Sequence, residues 1–195
     1  MFFNLSRALK ENQSIEEIAQ ALDQLSAEDR VEQSRSLGAK DQKKLWNLCE
    51  GRVVTLEQIV PNDRIGQTVR HLGRNTLPAF KIFEKRFMRA NTDQVDLWGY
   101  NESPIRKLVG PGYFTCRQSD QAEIGSIVVD YEKLPPNAPE GWPAMKPNEA
   151  GVSRLVYAYM HDYLRKVSEH VTIGRAYRKG KESPNYFTLC RWDEE

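Results

Sequence analysis

The residues that could do chemistry are few, and the three histidines, His71, His161 and His170, come first. His161-Asp162 together with His170 offers imidazole and carboxylate, ligand types that suit zinc or iron. Their spacing matches no metal motif, and a third ligand would have to come from a distant segment, so no metal site is expected. His161 is also the candidate general base, oriented by Asp162 or Asp130. Adjacent residues of a strand point to opposite faces, which places Asp162 badly for that task. Nucleophilic catalysis has less support still. There is no glycine-serine-glycine elbow, and no cysteine has a histidine near it in sequence. Gly110-Pro111-Gly112 lacks the lysine, threonine and following helix of a phosphate loop and reads as a turn between strands. No cofactor motif is found, and no cofactor is expected.

Aromatic side chains are the denser signal. Trp98, Tyr100, Tyr113, Phe114, Tyr131, Tyr157, Tyr159, Tyr177, Tyr186 and Phe187 all fall in the part of the chain that reads as sheet. A buried tyrosine needs a partner for its hydroxyl. A sheet interior lined by tyrosines with an occasional arginine or histidine suits a mostly apolar ligand with one polar end. The candidate ligand-binding residues are Tyr131, Trp142, Tyr159, His161 and Arg165. Tyr131 and Tyr159 end candidate strands as a wall, His161 and Arg165 supply a polar end, and Trp142 pins a lid. The leading reading is a non-enzymatic binder of a small, mainly apolar or amphipathic ligand. One alternative is an interaction module whose filled barrel, basic stretch or helical bundle meets a protein partner. The other is an acid-base enzyme using His161.

The elements that must hold these residues divide the chain near Pro61. Residues 1–61 read as helices. Ser14-x-x-Glu17 is a capping box, and Ile15, Ile18, Leu22 and Leu25 form a one-sided apolar stripe. Ser26 with Asp29 starts a second helix, Leu45, Trp46, Leu48 and Cys49 belong to a third that stops near Gly51, and Thr55 caps one further turn. Residues 62–195 read as an antiparallel domain with candidate strands near 67–72, 84–89, 95–100, 105–109, 112–117, 124–131, 153–160, 170–178 and 185–192. The firmest are the last three. Val171, Ile173 and Tyr177 alternate with Thr172, Gly174 and Ala176, and Asn185, Phe187 and Leu189 alternate with Tyr186, Thr188 and Cys190. The intervening RKGKESP reads as a hairpin connection of moderate length. The period around Phe83 is ambiguous. Phe80, Phe83 and Phe87 fit a helix, whereas Phe83, Lys85, Phe87 and Arg89 alternate as a strand does, and a short helix to Phe83 followed by a strand is expected. Residues 133–151 carry five of the ten prolines and read as a loop pinned by Trp142 and Met145.

Eight or nine short antiparallel strands suffice to close a barrel. The expected fold is therefore α+β: a helical N-terminal segment packed on an antiparallel, lipocalin-like β-barrel or strongly curved sheet. With 28 basic against 27 acidic residues, the balance argues against a general nucleic-acid binder, and no specific nucleic-acid partner is expected. The stretch from Arg64 to Arg89 holds seven basic residues against Glu84, a run expected to be a solvated face balanced by acids elsewhere. Cys49, Cys116 and Cys190 are odd in number and far apart, so no disulfide is expected. With no apolar run near 18 residues and no secretory leader, the chain reads as soluble and cytoplasmic, without a transmembrane segment.

YAYMHDYLRKVSEHVTIGRAYRKGKESPNYFTLCR resembles the tail of small bacterial proteins that carry a GXWXG domain. Asp162, Tyr163, Arg165, Lys166, Val167, Ile173, Gly174, Tyr186, Phe187, Leu189 and Arg191 occupy comparable places, and FEKRF at 83–87 resembles a step of the GXWXG part. The likeness covers under half the chain, the GXWXG motif is absent, and the first 60 residues have no counterpart. It implies a compact lipocalin-like barrel and assigns no chemistry.

Overall fold

The computed structural model of the protein describes residues 3–193. Eight strands among them close a barrel: β1 (Val69–Asn75), β2 (Ile82–Met88), β3 (Leu97–Glu102), β4 (Phe114–Gln118), β5 (Ile127–Asp130), β6 (Met160–Lys166), β7 (Val171–Arg178) and β8 (Lys181–Arg191). Each pairs antiparallel with its sequence neighbours, and β8 returns to β1. This is the up-and-down arrangement, which leaves no sheet edge. It is the α+β barrel that the strand count implies.

Alternation along each strand separates two cores. Inward-facing Phe87, Leu97, Phe114, Cys116, Ile127, Val129, Leu164 and Leu189 fill the interior. Outward-facing Leu72, Val171, Ile173, Tyr186 and Cys190 meet the helices. Those helices are α1 (Leu5–Lys10), α2 (Ile15–Asp23), α3 (Ala27–Ser36) and α4 (Ala39–Leu48). Ser14 and Glu17 form the capping box that their spacing predicts, and Ile15, Ile18 and Leu22 turn inward together. Arg165 fastens this layer to the barrel. Its guanidinium lies 4.1 Å from the Trp46 ring and donates to the Trp46, Ile124 and Glu123 carbonyls.

A one-turn helix, α5 (Leu56–Ile59), capped by Thr55, closes one end of the barrel. Val54, Leu56, Ile59 and Val60 join the interior core there. Inward-facing His71 donates from Nε2 to the Ile59 carbonyl at 2.9 Å. The opposite end, ringed by the β1–β2, β3–β4, β5–β6 and β7–β8 connections, is open.

Several local expectations are revised. Residues 105–109 form a helical turn, α6 (Arg106–Val109), and 153–156 form another, α7 (Ser153–Val156). The alternating Leu155, Tyr157 and Tyr159 are therefore not a strand; Leu155 is 74% exposed, and Tyr159 has a left-handed φ of 61°. A short apolar run fits a strand or a helical turn equally well, and the polar MHDYLRK beside it takes the ladder instead. The segment before Phe83 is strand from Ile82, not helix. The β7–β8 connection is a tight turn at Lys179 and Gly180, both with positive φ, as a two-residue hairpin requires.

Candidate functional site

The open end leads into a cavity of about 520 Å³. Its walls are largely apolar, with Phe83, Val109, Tyr157, Met160, Ala176 and Phe187 among them. Tyr157 stacks on Tyr131 with ring centroids 5.4 Å apart and planes 18° apart. The volume lies in the range of small-molecule pockets.

Four polar side chains from four places in the sheet meet against this cavity. Lys85 sits between Phe83 and Phe87 on β2, at a position that alternation turns inward. Asn101 faces it directly across the β2–β3 ladder. Tyr131 follows β5, and Asp162 lies inward on β6 between Met160 and Leu164. The Lys85 Nζ donates to Asp162 Oδ2 at 3.0 Å, to Asn101 Oδ1 at 3.1 Å and to the Tyr131 hydroxyl oxygen. Asn101 Nδ2 donates to the Gly112 carbonyl and to the Tyr131 oxygen. The Tyr131 hydroxyl has Asp162 Oδ2 and Asn101 Oδ1 as acceptors, each at 3.3 Å. All three lysine protons thus have acceptors. The ring centroids of Phe83, Phe114, Tyr131 and Phe187 lie 5.0–5.8 Å from the same nitrogen.

Lys85 is only 2% exposed. Burial holds its ammonium below the ordinary lysine range, and the Asp162 carboxylate opposes that shift. Burial, with the Asp162 charge beside it, pushes the Tyr131 phenol well above its usual value. Tyr131 therefore keeps its proton and can donate it as a hydrogen bond. The pair Lys85–Asp162 presents no net charge to the cavity, so the floor matches a neutral polar group better than a carboxylate.

The five candidates from the sequence separate. Tyr131 lies on the cavity floor. Tyr159 is 39% exposed, outside the cavity, with the Lys179 ammonium 5.0 Å from its ring. His161 points out of the barrel, where Nε2 lies 3.3 Å from Asp130 Oδ1 and 3.7 Å from Glu132 Oε2. Asp130 holds that imidazole above its usual value. The β6 alternation that turns Asp162 inward turns His161 outward, so His161 cannot act as a base in the barrel. Arg165 faces the helical layer by the same parity. Trp142 is half-buried on the outer wall against Tyr100 and Tyr113, and its Nε1 donates to Thr68 at the end of β1 away from the mouth. It is no lid. The long loop is held instead by Asn148, whose Nδ2 donates to the Tyr113 and Tyr131 carbonyls at 2.8 Å.

Lys85, Asn101 and Asp162 were not among those candidates. Lys85 reads from sequence as part of a basic run, in which Arg70 and Arg86 pair with Glu84 and Arg74 donates to the Arg35 carbonyl. The signal for Lys85 was its place at the centre of Phe83-x-Lys85-x-Phe87. Among the described residues no cluster of histidine, cysteine and carboxylate could hold a metal ion, and no helix is long and apolar enough to cross a membrane. Comparison with family models, with curated proteins and with solved structures finds no match to the chain.

Proposed function

We propose that the protein binds a small, mainly apolar molecule with one neutral polar end in the open half of its barrel. The observation that carries this reading is the combination of a cavity of about 520 Å³ with a floor made of Lys85, Asn101, Tyr131 and Asp162. An apolar wall supplies affinity through burial, and a few convergent polar groups fix orientation. A ligand hydroxyl or carbonyl oxygen can accept from the Tyr131 hydroxyl, whose own acceptors lie at 3.3 Å. The mouth is rimmed by Leu77, Phe80, Leu155 and Val156, partly exposed side chains that suit entry of an apolar molecule. The filled-barrel alternative is disfavoured by the size of the cavity. The resemblance of residues 157–191 to the tail of GXWXG-domain proteins belongs to the same proposal, as does a cytoplasmic setting, which three free, buried cysteines fit.

The test uses the neutral fluorescent probe N-phenyl-1-naphthylamine. Wild type should bind it at one site, with saturable enhancement of emission. Ala176→Phe, which puts a ring into the cavity, should abolish binding, and Trp142→Ala should leave it unchanged. A wild type that binds no probe, or a probe indifferent to Ala176→Phe, refutes the reading.

A further inference from the structure

Resting on that reading, we propose that Lys85 is a reactive amine that condenses with the carbonyl carbon of an apolar aldehyde in the cavity, forming a reversible imine. The first ground is position. The nitrogen lies on the cavity floor at the end of an apolar channel, so an aldehyde that buries its chain along Phe83, Val109, Ala176 and Phe187 brings its head to Nζ. The second is the company it keeps. Asp162 Oδ2, 3.0 Å away, can take the ammonium proton, and the Tyr131 hydroxyl, bonded to the same nitrogen, can donate to a carbonyl oxygen.

The third ground is that the fold does not need a lysine there. Its inward neighbours Phe83 and Phe87 are apolar, as barrel filling requires, and a buried ion pair is often replaced by apolar side chains without loss of stability. Departures from local packing logic of this kind cluster at functional sites. Burial also lowers the basicity of Lys85, which raises the share of neutral amine able to attack.

The step balances without an oxidant or reductant. Lys85 passes one proton to Asp162, and its lone pair bonds to the carbonyl carbon while Tyr131 hydrogen-bonds to the oxygen. Proton transfer from nitrogen gives the neutral carbinolamine. Asp162 returns its proton to the hydroxyl, the carbon–oxygen bond breaks, water leaves and the carbon–nitrogen double bond forms as a protonated imine that pairs with the Asp162 carboxylate. Aldehyde and ammonium become protonated imine and water.

The 195-residue protein is incubated with decanal and sodium cyanoborohydride, and adducts are located by intact mass and peptide mapping. One decyl group should appear at Lys85 well before any other lysine. Excess N-phenyl-1-naphthylamine should protect the site in wild type, a control that needs no variant. Lys85→Arg should abolish that adduct, and Tyr131→Phe should slow its formation by about a hundred-fold, the scale of a lost proton donor. Adducts spread evenly over other lysines, while the naphthylamine still binds the cavity, would overturn the imine proposal and leave the binding function standing. If the naphthylamine does not bind and Lys85 is not modified, both fail.

Discussion

Asp162→Asn isolates the polar floor most directly. The wild-type carboxylate lies 3.0 Å from the Lys85 ammonium, and both side chains are buried. Removing one partner of a buried pair leaves the other charge without compensation, which costs about 3–5 kcal/mol. Asparagine keeps the shape and one acceptor, so the lower end of that range is expected. Replacing both partners, as Lys85→Met with Asp162→Leu, should cost far less than the single change. Acidity gives a second, independent readout. Burial places the folded Lys85 value below the unfolded one. Between the two, the unfolded chain binds a proton that the folded chain does not, so stability rises with pH across that window. Asp162 opposes the shift, and its loss widens the window downward. The Asp162→Asn penalty should therefore be largest near pH 7 and shrink at about pH 10, where the lysine approaches its unperturbed titration. Urea melts of wild type, Asp162→Asn and the double variant at the two pH values measure this. A loss under about 1 kcal/mol near pH 7, or an equal loss at both pH values, would show that the pair is not desolvated as argued.

Three further outcomes follow from the packing. An added Cβ at Gly99 would meet the Phe114 ring at 2.1 Å and the Arg86 carbonyl oxygen at 2.7 Å, so Gly99→Ala should destabilise the barrel by about 1–3 kcal/mol or more in urea melts. A chain starting at Asn62 loses α5, which plugs one end of the barrel, as well as the helical layer. It should bind N-phenyl-1-naphthylamine at added, non-saturating sites and show slow aggregation by light scattering, whereas unaltered behaviour would mean that these helices cover nothing. Burial pushes the His71 imidazole down from 6.5 to about 4, so the unfolded chain alone takes up a proton as the pH falls between those values. Wild type should lose about 3 kcal/mol more than His71→Gln on acidification through that window, measured as the difference between their urea midpoints at the two ends.

Much of the architecture is legible in the sequence because it is set by local periodicity. The Ser14–Glu17 box, the stripe Ile15, Ile18 and Leu22, and the alternation of Val171 and Ile173 with Thr172 and Gly174 each describe one element and its two faces. Enough short strands without intervening long helices then lead to an antiparallel barrel. Even the inward aim of Lys85 is present locally, in its parity with Phe83 and Phe87. Where the local signal is weak, as at 105–109 and 153–156, strand and helical turn have nearly the same pattern, and hydrogen bonding to neighbouring strands decides between them.

The site itself belongs to the tertiary structure. Lys85 is separated from Asn101, Tyr131 and Asp162 by 16, 46 and 77 residues. Nothing in a single strand says which residue stands across from it; that follows from the register that barrel closure imposes. A shift of one residue in β6 would turn His161 inward and Asp162 outward, exchanging the candidate base for the carboxylate found there. Trp142 shows the same limit. Its size predicts that it packs on something, but the wall it covers is chosen by where the long loop is tied, through Asn148 to the Tyr113 and Tyr131 carbonyls and through the indole to Thr68. Sequence periodicity determines the face a side chain occupies; only closure of the sheet determines what lies opposite it, because those contacts join residues that are distant along the chain.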